Sequence, residues 1–138
     1  MATPGAVGEA LGLTARAGGV KAGSEPFHAA RMSMSDDLQY LYLSTTGRRT
    51  GFARETEIWF TRQNGRYYVI SEQYDHAQWV QNLIAEPRVS WRVGTDRLAG
   101  KARVVDGRRE PGLVEAVQGR SREKYGWGEG LVVELIPD

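Results

Sequence analysis

The 138-residue sequence contains no cysteine. Disulfides, zinc–thiolate centres and thiol nucleophiles are therefore excluded. Histidine is almost absent: His28 and His76 are too few for a histidine-rich metal site, and no metal is expected. Lysine occurs only as Lys21, Lys101 and Lys124, so arginine supplies the rest of the 18 basic residues. With 17 acidic residues the net charge is +1. Such a balance argues against a nucleic-acid binder that works by bulk electrostatics. No apolar run is long enough to span a membrane, and no signal-peptide pattern is present. Stable membrane insertion is not expected, and the expected compartment is the cytoplasm. Familiar catalytic motifs are missing too. There is no Gly-x-Ser-x-Gly elbow, Walker loop, Gly-x-Gly-x-x-Gly after a strand or His-Glu-x-x-His. Ser71, His76 and Asp75 make a triad only on paper; Asp75 and His76 read better as a helix cap and a surface residue. An enzyme lacking such groups can still act if a bound cofactor carries the chemistry.

A chain of this length forms one domain and buries roughly 68–70% of its unfolded surface. Residues 1–31 stand apart, with eight alanines, six glycines and few large apolar groups besides Val7, Leu11, Leu13, Val20 and Phe27. A segment of this kind does not offset its ordering entropy. It is expected to be a disordered tail, with the folded domain over 32–138.

From residue 38 the pattern becomes regular. Residues 38–44 read as a strand. Residues 55–61 alternate, with Thr56, Ile58 and Phe60 on one face and Glu55, Glu57 and Trp59 on the other. Asn64-Gly65 is a hairpin signal, and 67–71 is the return strand. Asp75 suits an N-cap for a helix carrying Trp79, Val80, Leu83 and Ile84, stopped by Pro87. Strands are expected at 89–93 and 98–105, then a helix from Pro111 to about Gly126, then a strand at 131–136. The order β-β-β-α-β-β-α-β predicts a mainly β (α+β) fold, a six-stranded antiparallel barrel with two short helices.

The densest chemistry lies in Thr45-Thr46-Gly47-Arg48-Arg49-Thr50-Gly51, with Arg54 three residues on. Glycines let backbone N–H groups approach an anion, and arginine forks suit phosphate and carboxylate. No acidic residue occurs between Asp37 and Glu55 to neutralise the cluster. A solvated basic hairpin is the plain alternative. Arg54, at a strand start, is expected to be better fixed than Arg48 or Arg49. Trp79 and Asn82 share a helix face. Trp79 is either core or a ring contact, and Asn82 either meets a ligand or caps a neighbouring loop.

These residues, together with Glu57-Ile58-Trp59-Phe60 and the run Trp79-Val80-Gln81-Asn82-Leu83-Ile84-Ala85-Glu86-Pro87-Arg88-Val89, resemble the deazaflavin-dependent nitroreductase family. That family belongs to the FMN-binding-like split β-barrel oxidoreductases, and the resemblance covers roughly residues 38–138. It implies hydride transfer from reduced coenzyme F-420 to a small quinone, nitro or enone acceptor. FMN serves relatives on the same barrel, and a non-catalytic cofactor or lipophilic-ligand binder is the alternative from another class. A homodimer is compatible with either. The implied cofactor contacts are Thr46, Gly47, Arg48, Arg49, Gly51, Arg54, Ile58, Trp59, Ser71, Glu72, Gln73, Trp79 and Asn82. Tyr74, Tyr125 and Trp127 are implied at the acceptor, with the Tyr125 hydroxyl as its catalytic hydrogen-bond donor. Glu57 stands where many members have proline, and the loop Glu72-Gln73-Tyr74 is shorter than usual for the family.

Overall fold

The computed structural model describes residues 38–138. The expected tail, and the start of the domain at residue 32, lie outside the described residues. Seven strands and two α-helices follow in order: β1 (Tyr40–Thr46), β2 (Ala53–Trp59), β3 (Thr61–Gln63), β4 (Arg66–Ser71), a 3₁₀ turn (Tyr74–His76), α1 (Gln78–Ala85), β5 (Arg88–Val93), β6 (Asp96–Val104), α2 (Pro111–Tyr125) and β7 (Leu131–Pro137). All pairings are antiparallel, in the order β2-β1-β5-β6-β7-β4-β3. The sheet curls into an open split barrel.

Local sequence explains the elements. In β1 the inward positions are Leu41, Leu43 and Thr45, alternating with half-buried Tyr40, Tyr42, Ser44 and Thr46. Asn64 (φ 54°) and Gly65 (φ 77°) both take the left-handed region that a two-residue hairpin demands. Pro111 opens α2, where its missing N–H costs nothing, and Gly126 (φ 79°) closes it.

Two expectations need correction. The strand expected over 55–61 is two strands, which makes seven rather than six. Register shows why: Trp59 pairs with Tyr40 of β1, whereas Thr61 pairs with Tyr68 of β4. Phe60 is the corner at which the chain changes partner. Asp75, in turn, does not cap α1. It lies in the 3₁₀ turn, and Ala77 is the N-cap, its carbonyl accepting from Val80 and Gln81 at 3.1 Å each.

The barrel interior holds Leu41, Leu43, Ile58, Phe60, Val69, Trp91, Val133 and Leu135. Trp79, Val80 and Leu83 of α1 join this core. Burying each large apolar side chain contributes about 1.5–3 kcal/mol. A second cluster, Tyr68, Ile70, Val105, Val117 and Val132, seats α2 on the outer face of β4 and β7. Beside it Glu134, 1% exposed, accepts from Tyr68 (2.7 Å), Arg66 (3.2 Å) and Arg103 (2.6 Å). Burial alone would raise this carboxyl, but the three donors hold it below the ordinary glutamate range. Its neighbour Tyr68 is pushed up to about 12 by burial and by the carboxylate.

Candidate functional site: an arginine-lined cleft

The β1–β2 connection folds back on itself. Gly47 N–H donates to Phe52 O (2.7 Å), and Gly51 N–H donates to Gly47 O (2.8 Å). A Cβ on Gly47 would lie 2.8 Å from Thr50 Oγ1 and 3.1 Å from Phe52 O, so the tight approach favours glycine. Gly51 (φ 78°) supplies the left-handed residue that reverses the chain. The register Thr45↔Arg54 and Leu43↔Thr56 then sets Arg54 and Thr56 on the same face of the sheet as Leu43 and Thr45. Helix α1 lies opposite, and a cleft of about 460 Å³ opens between them. It is lined by Gly47, Arg48, Arg49, Thr50, Arg54, Glu55, Thr56, Gln78, Trp79 and Asn82. Its size falls within the usual range for small-molecule sites.

Arg48 is the fixed arginine. Its Nη1 donates to Asn82 Oδ1 (2.8 Å) and its Nη2 to Gln78 Oε1 (2.9 Å), while its backbone N–H also donates to Asn82 Oδ1 (3.2 Å). Asn82 Nδ2 donates to Thr45 Oγ1 (3.3 Å). The expectation that Arg54 would be the best-held fork is therefore reversed. Arg54 is exposed, whereas helix amides pin the loop residue Arg48. None of Arg48, Arg49 and Arg54 forms an ion pair among the described residues. Glu55 lines the cleft unpaired, and Glu57 faces the other side of the sheet, where it accepts from the Tyr42 hydroxyl (2.5 Å). Trp79 is 5% exposed and lines the same cleft; its buried indole N–H has no acceptor among the described residues.

Sequence reasoning missed Gln78, Thr50, Thr56 and Glu55 of the lining, while Thr46 and Gly51, which it named, do not line the cleft. Gln78 was within reach of it, because it stands four residues before Asn82 on the same helix face. Asn82 itself resolves into the loop cap.

The remaining implied residues lie elsewhere. Ile58 is wholly buried in the core and lines no part of the cleft. Trp59 stacks on Tyr125 (centroids 4.4 Å apart, planes 5° apart) and meets Trp127 edge-on at 6.5 Å. Together with Thr61, Tyr68 and Ile70 these rings enclose only about 10 Å³. A gap of that size admits one water at most and no planar acceptor. Ser71 is buried and donates to Tyr74 O (2.8 Å). Glu72 is half-buried, Gln73 is exposed, and Tyr74 is 54% exposed in a left-handed conformation (φ 54°). None of these four lines the arginine cleft.

The Tyr125 hydroxyl has a different task from the one expected of it. It accepts from Phe60 N–H (3.0 Å) and sits 2.7 Å from both Phe60 O and Gln39 O, between which its single proton is shared. Lys124 Nζ also donates to Phe60 O (3.0 Å). Phe60 has no ladder partner at the corner, so the end of α2 satisfies its backbone groups instead. Burial raises the Tyr125 hydroxyl far above the ordinary tyrosine value, keeping it neutral. In this arrangement its proton is engaged by a backbone carbonyl.

Comparison with known proteins adds the family. The model of the F420H(2)-dependent quinone reductase family matches residues 27–127. Among curated proteins none matches the chain. Several solved structures share the fold. A conserved hypothetical protein of Mycobacterium tuberculosis is 19% identical (TM-score 0.61), the match covering 78% of this chain and 79% of that one. A putative pyridoxamine 5'-phosphate oxidase from Listeria innocua is 14% identical (TM-score 0.62; 82% and 94%). A structure described as an F420-H2 dependent reductase is 24% identical (TM-score 0.52; 70% and 92%).

Proposed function

Because the chain belongs to the F420H(2)-dependent quinone reductase family, we propose that the cleft between residues 47–52 and α1 holds the anionic end of coenzyme F-420. The activity is that of an F-420-dependent oxidoreductase, which passes hydride to a small organic acceptor. The bound deazaflavin would supply the hydride, and the protein needs no nucleophile of its own.

The residues present fit such a group. Arg48, Arg49 and Arg54 line one cleft, and among the described residues no carboxylate is paired with them. That observation carries the reading. Each charge-assisted contact to a phosphodiester or glutamate carboxylate is worth about 1.5–3 kcal/mol. Glu55 also lines the cleft and opposes an anion bound beside it.

Titration with F-420 and with FMN at several salt concentrations tests the assignment. Three arginine forks exceed what a single FMN phosphate uses, so F-420 is expected to bind more tightly, with affinity falling as salt rises. Equal or stronger FMN binding would move the protein to the flavin-using reading. Binding without hydride transfer to any quinone, nitro or enone compound would favour a cofactor-binding protein. Among the described residues no helix is long and apolar enough to cross a membrane.

A further inference from the structure

We infer that Asn82 and Gln78 form a neutral amide clamp that aims Arg48 without spending its charge, so that Asn82 is a positioning residue and not a ligand contact. This rests on the cleft being the anion site proposed above.

The geometry of Asn82 leaves little choice. Its carbonyl oxygen accepts both the Arg48 backbone N–H (3.2 Å) and Arg48 Nη1 (2.8 Å), which fills both lone pairs. Its amide nitrogen reaches back to Thr45 Oγ1 (3.3 Å) on β1. The side chain is 5% exposed and Thr45 is 2% exposed, so the clamp is buried where it holds the loop. A second amide, Gln78 Oε1, takes Arg48 Nη2 at 2.9 Å from the solvent side. Two helix residues four apart thus grip the two ends of one guanidinium fork, leaving its other N–H donors for the cleft.

The residue type matters as much as the position. A carboxylate at either place would hold arginine more strongly, through a charge-assisted pair. It would also cancel the charge that an anionic ligand needs. An amide oxygen orients the fork through hydrogen bonds alone. Elsewhere the chain does use carboxylates for arginine: Arg103 is held by Glu134 and Glu110, and that group is structural.

The test uses the full chain with two probes, coenzyme F-420 and inorganic pyrophosphate. Dissociation constants are measured across a salt series for the wild type, Asn82→Asp, Asn82→Ala and Gln78→Glu. Asn82→Asp keeps the shape but pairs Arg48 with a charge. It is expected to weaken both probes roughly tenfold or more, and to flatten the salt dependence because one cation is no longer available. Asn82→Ala frees the loop while Arg48 stays charged, so affinity falls with the salt dependence kept. In turnover the Asn82→Asp loss appears in the cofactor KM rather than in kcat. Gln78→Glu is exposed and does not threaten the fold. It is expected to act like Asn82→Asp, more weakly, and it decides the matter if Asn82→Asp does not fold. Wild-type affinity and wild-type salt slope in the charged variants would overturn the clamp. Pyrophosphate binding without F-420 binding would leave the clamp standing and sink the cofactor assignment. Binding of neither probe would sink both.

Discussion

Replacing Tyr125 with phenylalanine separates two roles for the same hydroxyl. The ring survives, so the stack on Trp59 at 4.4 Å is kept. The loss is confined to the corner. Phe60 N–H gives up its acceptor at 3.0 Å, and Phe60 O and Gln39 O lose the one proton they share at 2.7 Å. Phe60 O keeps Lys124 Nζ at 3.0 Å, and half-buried Gln39 can turn to water. The N–H of Phe60 sits on a residue that is 1% exposed and has no substitute. Leaving one buried donor unpaired costs about 1–3 kcal/mol, and the weakened carbonyl bonds add about 0.5 kcal/mol. The expected destabilisation is about 2 kcal/mol. In a domain of this size it lowers Tm by roughly 10 °C. Thermal unfolding of Tyr125→Phe beside the wild type measures this, and F-420 titration measures the site. Cofactor affinity should hold, because Phe60 and Tyr125 do not line the cleft. An unchanged Tm together with a 5- to 150-fold loss of hydride transfer, roughly what a missing transition-state hydrogen bond costs, would refute the structural role and return the hydroxyl to the acceptor.

Gly47→Ala should loosen the loop by about 1–3 kcal/mol, since its Cβ meets Thr50 Oγ1 at 2.8 Å and Phe52 O at 3.1 Å; a fall in both Tm and cofactor affinity is the expected readout. Arg54→Ala should weaken F-420 binding about tenfold, the loss of one charge-assisted contact, and Arg48→Ala should weaken it more, since the clasp between loop and α1 goes too. A larger effect at Arg54 would show that the held arginine is not the one the ligand uses. Glu134 sets an acid limit: its folded carboxyl titrates below the ordinary value, so its contribution is full above about pH 4.3 and is lost as pH falls through the lowered value. Glu134→Gln should cost about 2 kcal/mol at pH 7, less than a fully buried pair because Arg66 and Arg103 are 46% and 41% exposed, and its Tm should decline less steeply than the wild type's below pH 4.

Much of the fold was legible because its signals are local. The apolar run at 38–44 marked β1, Asn64-Gly65 marked its hairpin, and Pro111 and Gly126 bracket α2. The break at Phe60 was not legible, because the alternation of residues 55–61 runs through it unchanged. What ends β2 is a change of pairing partner from Tyr40 to Tyr68, which is a long-range fact. Asp75 misled for a related reason. Its cap chemistry is sound, but the chain inserts a 3₁₀ turn first, and Ala77 begins α1 with no side-chain cap at all. In the candidate site, the loop and the helix were each readable as a motif. Their mutual grip was not, since the Arg48–Asn82 bonds span 34 residues. The same distance explains the error over Arg54: position on a strand fixes a backbone, whereas a long side chain is fixed by what it touches.

The two ends of β2 divide the work of the molecule. At one end the strand begins beside a self-closed glycine loop and presents Arg54 and Thr56 to the cleft. At the other it stops at Phe60, where Tyr125 and Lys124 of α2 satisfy the corner and start the crossing to β4. Ile58, next to the last residue of the strand, is wholly buried and anchors it in the core. The aromatic cluster at the far end therefore acts on the cleft only through the strand's placement. Substitutions there should appear first as stability changes. Those at Arg48, Asn82 and Gln78 should appear first as binding changes. A variant at Tyr125 or Trp59 that altered cofactor affinity with Tm unchanged would contradict that division, because it would require the ligand to reach a region the folded chain has filled with its own rings.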